Sequence, residues 1–379
     1  MPDEMDGLSP KETTRYSRHL ILPEVGAEGQ LNLKRGRALV VGAGGLGAPV
    51  LLYLAAAGVG AIGLIDDDKV DLSNLQRQVL YGQGDVGKSK AETAKQRLQE
   101  INPLITITAY NYRFSAENAL QLISQYDVII DGTDNFSTRY LVNDACVLAG
   151  KPNVHGAIYR FEGQVGVFSY DGGPCYRCLF PDPPPPDAVP NCAEGGVLGV
   201  MAGTIGMLQA TEAIKLLLGK GSSLAGKLLV YDALQTQFET LTVRRDNNCP
   251  ICGDNPKIKS VVEQAVVCSA DRPVIPTVQV RDLHKELDAE RAPFLLDVRS
   301  QEEFDLGHLS GAVHIPLPEL VQRLSELNAA IPIVVYCKTG RRSQRAAEIL
   351  VENGFLQVRN LEGGIAAWAM QVDSGLAVY

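Results

Sequence analysis

Hydrophobic and polar positions alternate along this chain in blocks that switch repeatedly between strand-like and helix-like periods. Arg37-Ala38-Leu39-Val40-Val41 is short, apolar and β-branched at its end, the pattern of a strand buried on both faces. Gly42-Ala43-Gly44-Gly45-Leu46-Gly47 follows, and residues 48–59 predict a helix. A second strand is expected at Ala61–Ile65, ending on Asp66. An amphipathic helix is expected from Lys88–Lys90 to about residue 100, a strand at Thr106–Tyr110 and a helix over 116–125. A further strand over 127–131 then delivers Gly132-Thr133-Asp134-Asn135 at its end. Residues 153–170 alternate in the manner of a hairpin. Strands interleaved with helices predict an α/β fold with a largely parallel, Rossmann-like sheet.

The periodic pattern fades between about 253 and 276 and then resumes. Residues 294–299 and Ile333–Tyr336 predict strands, and 343–353 a helix. The expected organisation is a first domain over 1–255, a linker over 256–276 and a smaller α/β domain over 277–379. A length of 379 residues agrees with two cores rather than one.

Composition narrows the function. A net charge of −9 is a poor match to nucleic acid, which calls for a basic face. The start, Met1-Pro2-Asp3-Glu4, is acidic and lacks an apolar signal core, so a cytoplasmic protein is expected. The apolar run over 195–208 is broken by Gln209, Glu212 and Lys215 and is too short to span a bilayer, so it predicts a buried helix rather than a membrane segment. Its Gly199 and Gly203 carry the small-xxx-small spacing of close helix packing, which suits a subunit contact. The eight cysteines, in a chain without a signal, favour metal binding and thiol chemistry over disulfides.

Candidate chemistry falls at four places. A strand, a Gly-rich turn and a helix N-terminus present N–H groups and a dipole end to a phosphate, with Asp66 placed for a ribose hydroxyl. The polar stretch Asp67–Gln78, which contains Ser73-Asn74-Leu75-Gln76-Arg77-Gln78, suits polyphosphate and metal better than a core strand. Asp134 is a candidate Mg²⁺ ligand, with a turn or helix cap as the competing role. Gly82-Gln83-Gly84-Asp85-Val86-Gly87-Lys88-Ser89 satisfies the P-loop spacing, but no buried strand precedes it, so the match is expected to be chance.

Cys175-Tyr176-Arg177-Cys178 and Cys249-Pro250-Ile251-Cys252 supply four thiolates, the complement of a structural zinc. Between them Cys192 lies on a Pro-rich, extended segment. Finally, Ile333–Tyr336 leads into Cys337-Lys338-Thr339-Gly340-Arg341-Arg342-Ser343, a loop closing on a helix N-terminus among cations, which suits a thiolate or persulfide. A cysteine phosphatase would need arginine six positions after the cysteine; Ser343 stands there, and sulfur transfer fits better.

Together RYSRH, GAGGLG, DLSNLQRQ, TDN, the two CxxC pairs, NCAEGG and CKTGRRS resemble a known pairing. The first 255 or so residues look like the MoeB/ThiF adenylyltransferases, which share a fold with ubiquitin-activating enzymes, and the rest looks like a rhodanese domain. The fused order is similar to the MoeZ-type (MoeBR) bacterial proteins and the eukaryotic molybdopterin-synthase sulfurases.

The resemblance implies ATP at Gly42, Gly44, Gly45 and Gly47, with Asp66 on the ribose. Asn74, Gln76, Arg77 and Lys90 would meet the phosphates, Asp134 would hold Mg²⁺, and Asn135 would also line the nucleotide site. It implies a homodimer in which Arg18 reaches the neighbouring subunit's ATP. The implied substrate is the Gly-Gly carboxylate of a small ubiquitin-like sulfur carrier. Sulfur would come from Cys337 persulfide, charged by thiosulfate or a cysteine desulfurase. For Cys192 two roles stay open, thioester formation or resolution of an acyl-disulfide. An NAD-dependent oxidoreductase with a rhodanese appendage and a non-catalytic sulfur-binding adaptor are the alternatives.

Overall fold

The computed structural model describes residues 7–183, 196–263, 273, 275–287 and 292–376. The chain divides into two compact units, Met1–Gln264 and Ala265–Tyr379.

In the first unit β1 (Arg37–Val41), β2 (Ala61–Ile65), β3 (Thr106–Tyr110), β4 (Val128–Asp131) and β5 (Asn153–Tyr159) run parallel. β6 (Glu162–Phe168), β7 (Lys227–Asp232) and β8 (Gln237–Thr242) extend the sheet antiparallel. The order β3-β2-β1-β4-β5-β6-β7-β8 reverses its winding between β1 and β4. Such a switch point opens a crevice at the strands' C-terminal ends, where open α/β sheets take ligands.

The strands form because their residues are buried on both faces: Ala38 to Val41 and Val128 to Asp131 are all inaccessible. The helix Gly47–Ala57 is apolar nearly all round, since it lies between the sheet and the long helix Gly199–Leu218. It stops at Gly58, whose φ of +82° suits glycine and whose missing side chain makes room for the Tyr16 ring. Tyr16 thereby ties the short N-terminal helices to the core, and its hydroxyl accepts from Asn102 Nδ2 at 2.8 Å.

The apolar run near 195–208 is indeed helical, but the helix begins at Gly199 and continues to Leu218. The polar residues that seemed to end it are satisfied inside it. Gln209 Nε2 donates to Asp131 O and Val154 O at 2.7 and 3.1 Å, and Glu212 pairs with Lys215 and caps Leu224 N. Gly206, rather than Gly203, is the point of close approach, because a Cβ there would meet Pro49 Cγ at 2.4 Å. Among the described residues no helix is long and apolar enough to cross a membrane.

The P-loop match is not a P-loop. Its residues form a 3-10 turn, Gln83–Asp85, with no strand before it. Lys88 pairs with Asp85, and Ser89 caps the helix Lys90–Ile101.

The second unit is a parallel five-stranded sheet of β9 (Thr277–Val278), β10 (Phe294–Asp297), β11 (Val313–His314), β12 (Ile333–Tyr336) and β13 (Val358–Leu361), ordered β11-β10-β12-β13-β9. Central β12 is fully buried and runs into Cys337 and the helix Arg341–Glu352.

The glycines of the turn divide by what a side chain would meet. A Cβ on Gly47 would lie 1.9 Å from Gly42 O, whereas one on Gly44 would reach only Gln78 Nε2 at 3.6 Å. Gly47→Ala should therefore destabilise the first unit by about 1–3 kcal/mol through forced backbone shifts. Gly44→Ala should stay within about 0.5 kcal/mol of the parent. Urea midpoints measure both, and equal loss in the two variants would contradict this division.

Candidate functional site

β1 and β4 end side by side, and the turns that leave them touch through backbone. Gly132 N donates to Val41 O at 2.9 Å, and an added Cβ on Gly42 would meet Gly132 O at 3.0 Å. Gly42 itself has φ +89°. Asp66, at the end of β2, braces the turn: its carboxylate accepts from Ala43 N at 2.8 Å and Asp68 N at 2.9 Å. Burial pushes its carboxyl above the usual range, opposed by Lys90 and these N–H groups. Each oxygen retains a lone pair for a further donor. Tyr81 supports the turn from below, donating to Ala43 O at 2.8 Å.

The polar stretch after Asp66 folds over this turn. Asp71 and Asn74 cap a short 3-10 helix reciprocally, and Arg77 Nη1 donates to Ser73 O at 3.0 Å. Carbons of the Arg77 side chain lie 3.7 Å from the Cβ position of Gly45, and Gln76 O lies 2.1 Å from that of Gly199. The stretch is thus wedged between the turn and the start of the long helix. Lys90 is buried and its ammonium meets exposed Asp68 at 2.8 Å. Gln78 is buried beside Gly44, and its Oε1 has no hydrogen-bond partner. A cradle of backbone N–H groups and two cations fits a nucleotide polyphosphate.

On the β4 side, Asp134 is exposed, while Asn135 caps the helix Phe136–Ala149 by accepting from Thr138 N at 2.9 Å. Asn135 Oδ1 is therefore engaged, and its amide N–H groups remain. Arg18 is exposed on the short helix Ser17–Leu20. Behind the loop, Asp131 accepts from Thr133 N and Oγ1 at 3.0 and 2.6 Å and from His155 Nδ1 at 3.2 Å. Burial alone would raise the Asp131 carboxyl, but His155, Arg139 and Thr133 hold it below the usual range. Burial lowers His155 from its ordinary value, opposed by its hydrogen bond to Asp131.

The sulfurs of Cys175, Cys178, Cys249 and Cys252 lie within 4.8 Å of one another, with spacings of 3.6 Å (Cys175–Cys249) and 3.3 Å (Cys178–Cys252). Tetrahedral thiolates at about 2.3 Å from one ion stand about 3.8 Å apart, so the four match a metal cage. Hydrogen bonding to Cys178 and Cys252 drives the Cys175 thiol far above the usual range. The site joins the Cys249–Cys252 segment to the middle of the chain, across the long spacing of the two pairs.

In the second unit Cys337 is 1 % exposed at the end of β12. Its sulfur receives Gly340 N at 3.2 Å and lies 3.4 Å from Ser343 Oγ, which donates to Asn360 Oδ1 at 2.7 Å. The loop Lys338-Thr339-Gly340 is held by Asn360 Nδ2, which donates to Gly340 O at 2.9 Å, and by Ile365 N on Cys337 O at 2.9 Å. Arg342 forms a two-pronged pair with buried Glu303 at 2.5 and 2.6 Å, so its charge is spent on the loop's frame; Arg341 opens the helix. Cys192 lies outside the described residues.

The pattern that defines the ThiF family matches residues 16–251. This chain belongs to the ThiF family. A rhodanese-like domain matches residues 279–371. The chain is 49 % identical to the probable adenylyltransferase/sulfurtransferase MoeZ of Mycobacterium tuberculosis, over 98 % of this chain and 96 % of that one. It is 42 % identical to the adenylyltransferase and sulfurtransferase MOCS3 of Mus musculus, over 98 % and 88 %. A sulfur carrier protein adenylyltransferase of Thermus thermophilus is 57 % identical over 68 % of this chain and 97 % of its own. Among solved structures, E. coli MccB with ATP aligns at a TM-score of 0.56 and 25 % identity, covering 63 % of this chain and 74 % of that one.

In this ThiF-family chain the structure also adds residues that sequence reasoning did not single out. Gln78 and Tyr81 abut the glycine turn, Asp131 and His155 underlie the Asp134 loop, and Asn360 supports Cys337. The nearest sequence signal was the final Asp of DVIID, an ionisable residue ending an otherwise apolar strand.

The thiol cluster generates a direct test. A chelator strong enough to strip a thiolate-bound metal should lower the melting temperature of the first unit by about 2–8 °C, the shift expected for 1–2 kcal/mol in a domain of this size. Cys249→Ser should do the same without chelator. An unchanged melting temperature in both would argue against a structural metal.

Proposed function

We propose that this chain adenylylates the C-terminal carboxylate of a small ubiquitin-like sulfur-carrier protein ending in Gly-Gly, and then converts it to a thiocarboxylate with sulfur from Cys337. The observation that carries the reading is the joining, in one chain, of a glycine cradle at the β1/β4 switch point and a buried cysteine held by Gly340 N. Likeness to named adenylyltransferase/sulfurtransferases over nearly the whole chain supports it. The alternatives, an NAD-dependent oxidoreductase and a sulfur-binding adaptor, find no support in these relatives.

In this reading ATP lies on Gly42, Gly44, Gly45 and Gly47, with its ribose at Asp66. Asn74, Gln76, Arg77 and Lys90 face its phosphates, and Lys90 exchanges Asp68 for a phosphate oxygen. Asp134 would hold Mg²⁺, which supplies charge neutralisation at the phosphates, and the amide N–H groups of Asn135 face the nucleotide. Zn²⁺ would sit among Cys175, Cys178, Cys249 and Cys252 and hold the fold together. Arg18, exposed on its helix, serves the nucleotide of a second copy, making the working unit a homodimer. We take 1–255 as the adenylylating domain, 256–276 as linker and 277–379 as the sulfur-transferring domain, in a cytoplasmic protein.

One carboxylate oxygen of the carrier attacks the α-phosphorus, pyrophosphate leaves, and an acyl-adenylate remains. Arg77 and Lys90 meet the charge that grows on the phosphates. Thiosulfate or a cysteine desulfurase provides the outer sulfur of a Cys337 persulfide, whose terminal sulfur attacks the acyl carbon and expels AMP. The resulting acyl-disulfide is opened at the Cys337 sulfur by a second thiol, the role open to Cys192 beside thioester formation. That step releases the carrier thiocarboxylate and leaves a disulfide, which a dithiol reductant resets.

Arg77→Ala should cut ATP–pyrophosphate exchange by about 10²–10³-fold, as loss of a transition-state charge partner does. Carrier affinity should change less than about twofold, within the usual surface-substitution range. Equal loss in exchange and carrier binding would contradict the phosphate role. Cys337→Ala should retain exchange yet give no thiocarboxylate from thiosulfate. Mass spectrometry of the carrier reads this out as one oxygen replaced by one sulfur, and persistence of that product in the variant would overturn sulfur transfer through Cys337.

A further inference from the structure

Asp131 is the point at which four elements meet. It ends β4, and the parallel register places it directly opposite His155 on β5. Its backbone oxygen accepts from Gln209 Nε2 of the long helix at 2.7 Å. One carboxylate oxygen takes both Thr133 N and Thr133 Oγ1, and the other takes His155 Nδ1. Arg139, from the helix that Asn135 caps, stands 3.9 Å from the same oxygen. His155 is in turn walled by aromatic rings, Tyr176 at 4.9 Å and Phe168 at 5.8 Å between centroids. Tyr176 directly follows the thiol-cluster residue Cys175, and its N–H donates to Asn143 Oδ1 at 2.7 Å.

Both Asp131 and His155 are almost completely buried, the side chains 0 % and 2 % exposed. Apolar residues of similar volume would be at least as stable in such a place, so stability does not account for an ionised group there. Direction does. The carboxylate fixes the Thr133 peptide and hydroxyl, and Thr133 directly precedes Asp134. We propose that Asp131 and His155 are a positioning pair, which holds the Thr133–Asp134 loop in the arrangement that receives the Mg²⁺ of the bound nucleotide. His155 touches no nucleotide and acts through Asp131. The inference rests on the nucleotide reading of the glycine turn.

The test uses the full chain and a non-hydrolysable ATP analogue, titrated calorimetrically with and without Mg²⁺. His155→Leu should weaken binding of the Mg²⁺ complex about tenfold or more, the effect of losing a hydrogen bond to a charged group. Binding of the metal-free analogue should change far less. His155→Asn, which keeps an N–H donor, should recover most of the difference, a rescue that a purely packing role would not show. A folded His155→Leu protein with unchanged Mg²⁺-dependent affinity would overturn the pair, as would an Asn variant no better than Leu. Should His155→Leu not fold, Thr133→Val removes the hydroxyl on the other carboxylate oxygen and must show the same Mg²⁺-specific loss; unchanged affinity there also overturns the proposal. Asp134→Ala separates the two levels. If it retains the full Mg²⁺ effect, the metal-nucleotide reading of the loop fails, and the pair's role with it. If it loses the effect while both His155→Leu and Thr133→Val keep it, only the positioning pair fails.

Discussion

Backbone meeting backbone at the end of β1 and β4 is the constraint on which the first unit depends. Gly42, Gly47 and Gly132 converge so closely that side chains on them would strike peptide oxygens or nitrogens within about van der Waals contact. Because these contacts are between main chains, no rotamer change relieves them. The turn is therefore stiff, and its N–H groups are aimed by the sheet rather than by flexible side chains. Asp66 reinforces this by bonding Ala43 N from the neighbouring strand, and Tyr81 by bonding Ala43 O. A phosphate site made this way needs little reorganisation when it fills, which is the condition for electrostatic stabilisation to be effective.

The same logic recurs in the second unit with a sulfur in place of a phosphate. β12 is the central strand of a parallel sheet, and Cys337 follows it directly. Gly340, at φ +96°, turns its N–H onto the sulfur and starts the helix. The frame is again over-determined: Asn360 holds the Gly340 carbonyl, Glu303 holds Arg342, and Ile365 N holds the Cys337 carbonyl. Each site is a strand end, a glycine with positive φ and a helix beginning. The difference in chemistry comes from what the turn encloses, a cradle of glycines in one case and a nucleophile in the other.

Local features were legible in the sequence where chemistry and geometry coincide within a few residues. The glycine turn, the P-loop that fails for want of a strand, and the CKTGRRS loop all belong to that class. Edge strands were harder to read. Every residue of β8 is exposed, so it carries no buried alternation to detect, and β9 and β11 span two residues each. The helix Gly199–Leu218 was read too short because Gln209 and Glu212 look like surface residues until their partners Asp131, Val154 and Leu224 are known. The pairing of Asp131 with His155 depends on the register between parallel strands, and apolar strands buried on both faces give no alternation to fix it. Nor could spacing alone bring the two CxxC pairs together, although their composition did point to one metal cage.

The burial of Cys337 bears on the sulfur transfer proposed for it. Its own sulfur is almost inaccessible and engaged by Gly340 N and Ser343 Oγ, a poor placing for direct attack on a bulky acyl group. A persulfide changes the geometry, because its terminal atom extends a further S–S bond length, about 2 Å, from the held sulfur. The anchoring atom can then stay within its donors while the transferred atom is the one presented. The same burial limits oxidation of the cysteine itself, since susceptibility follows exposure as well as thiolate character. The burial that would impede a simple thiol nucleophile is thus compatible with the persulfide route proposed for Cys337.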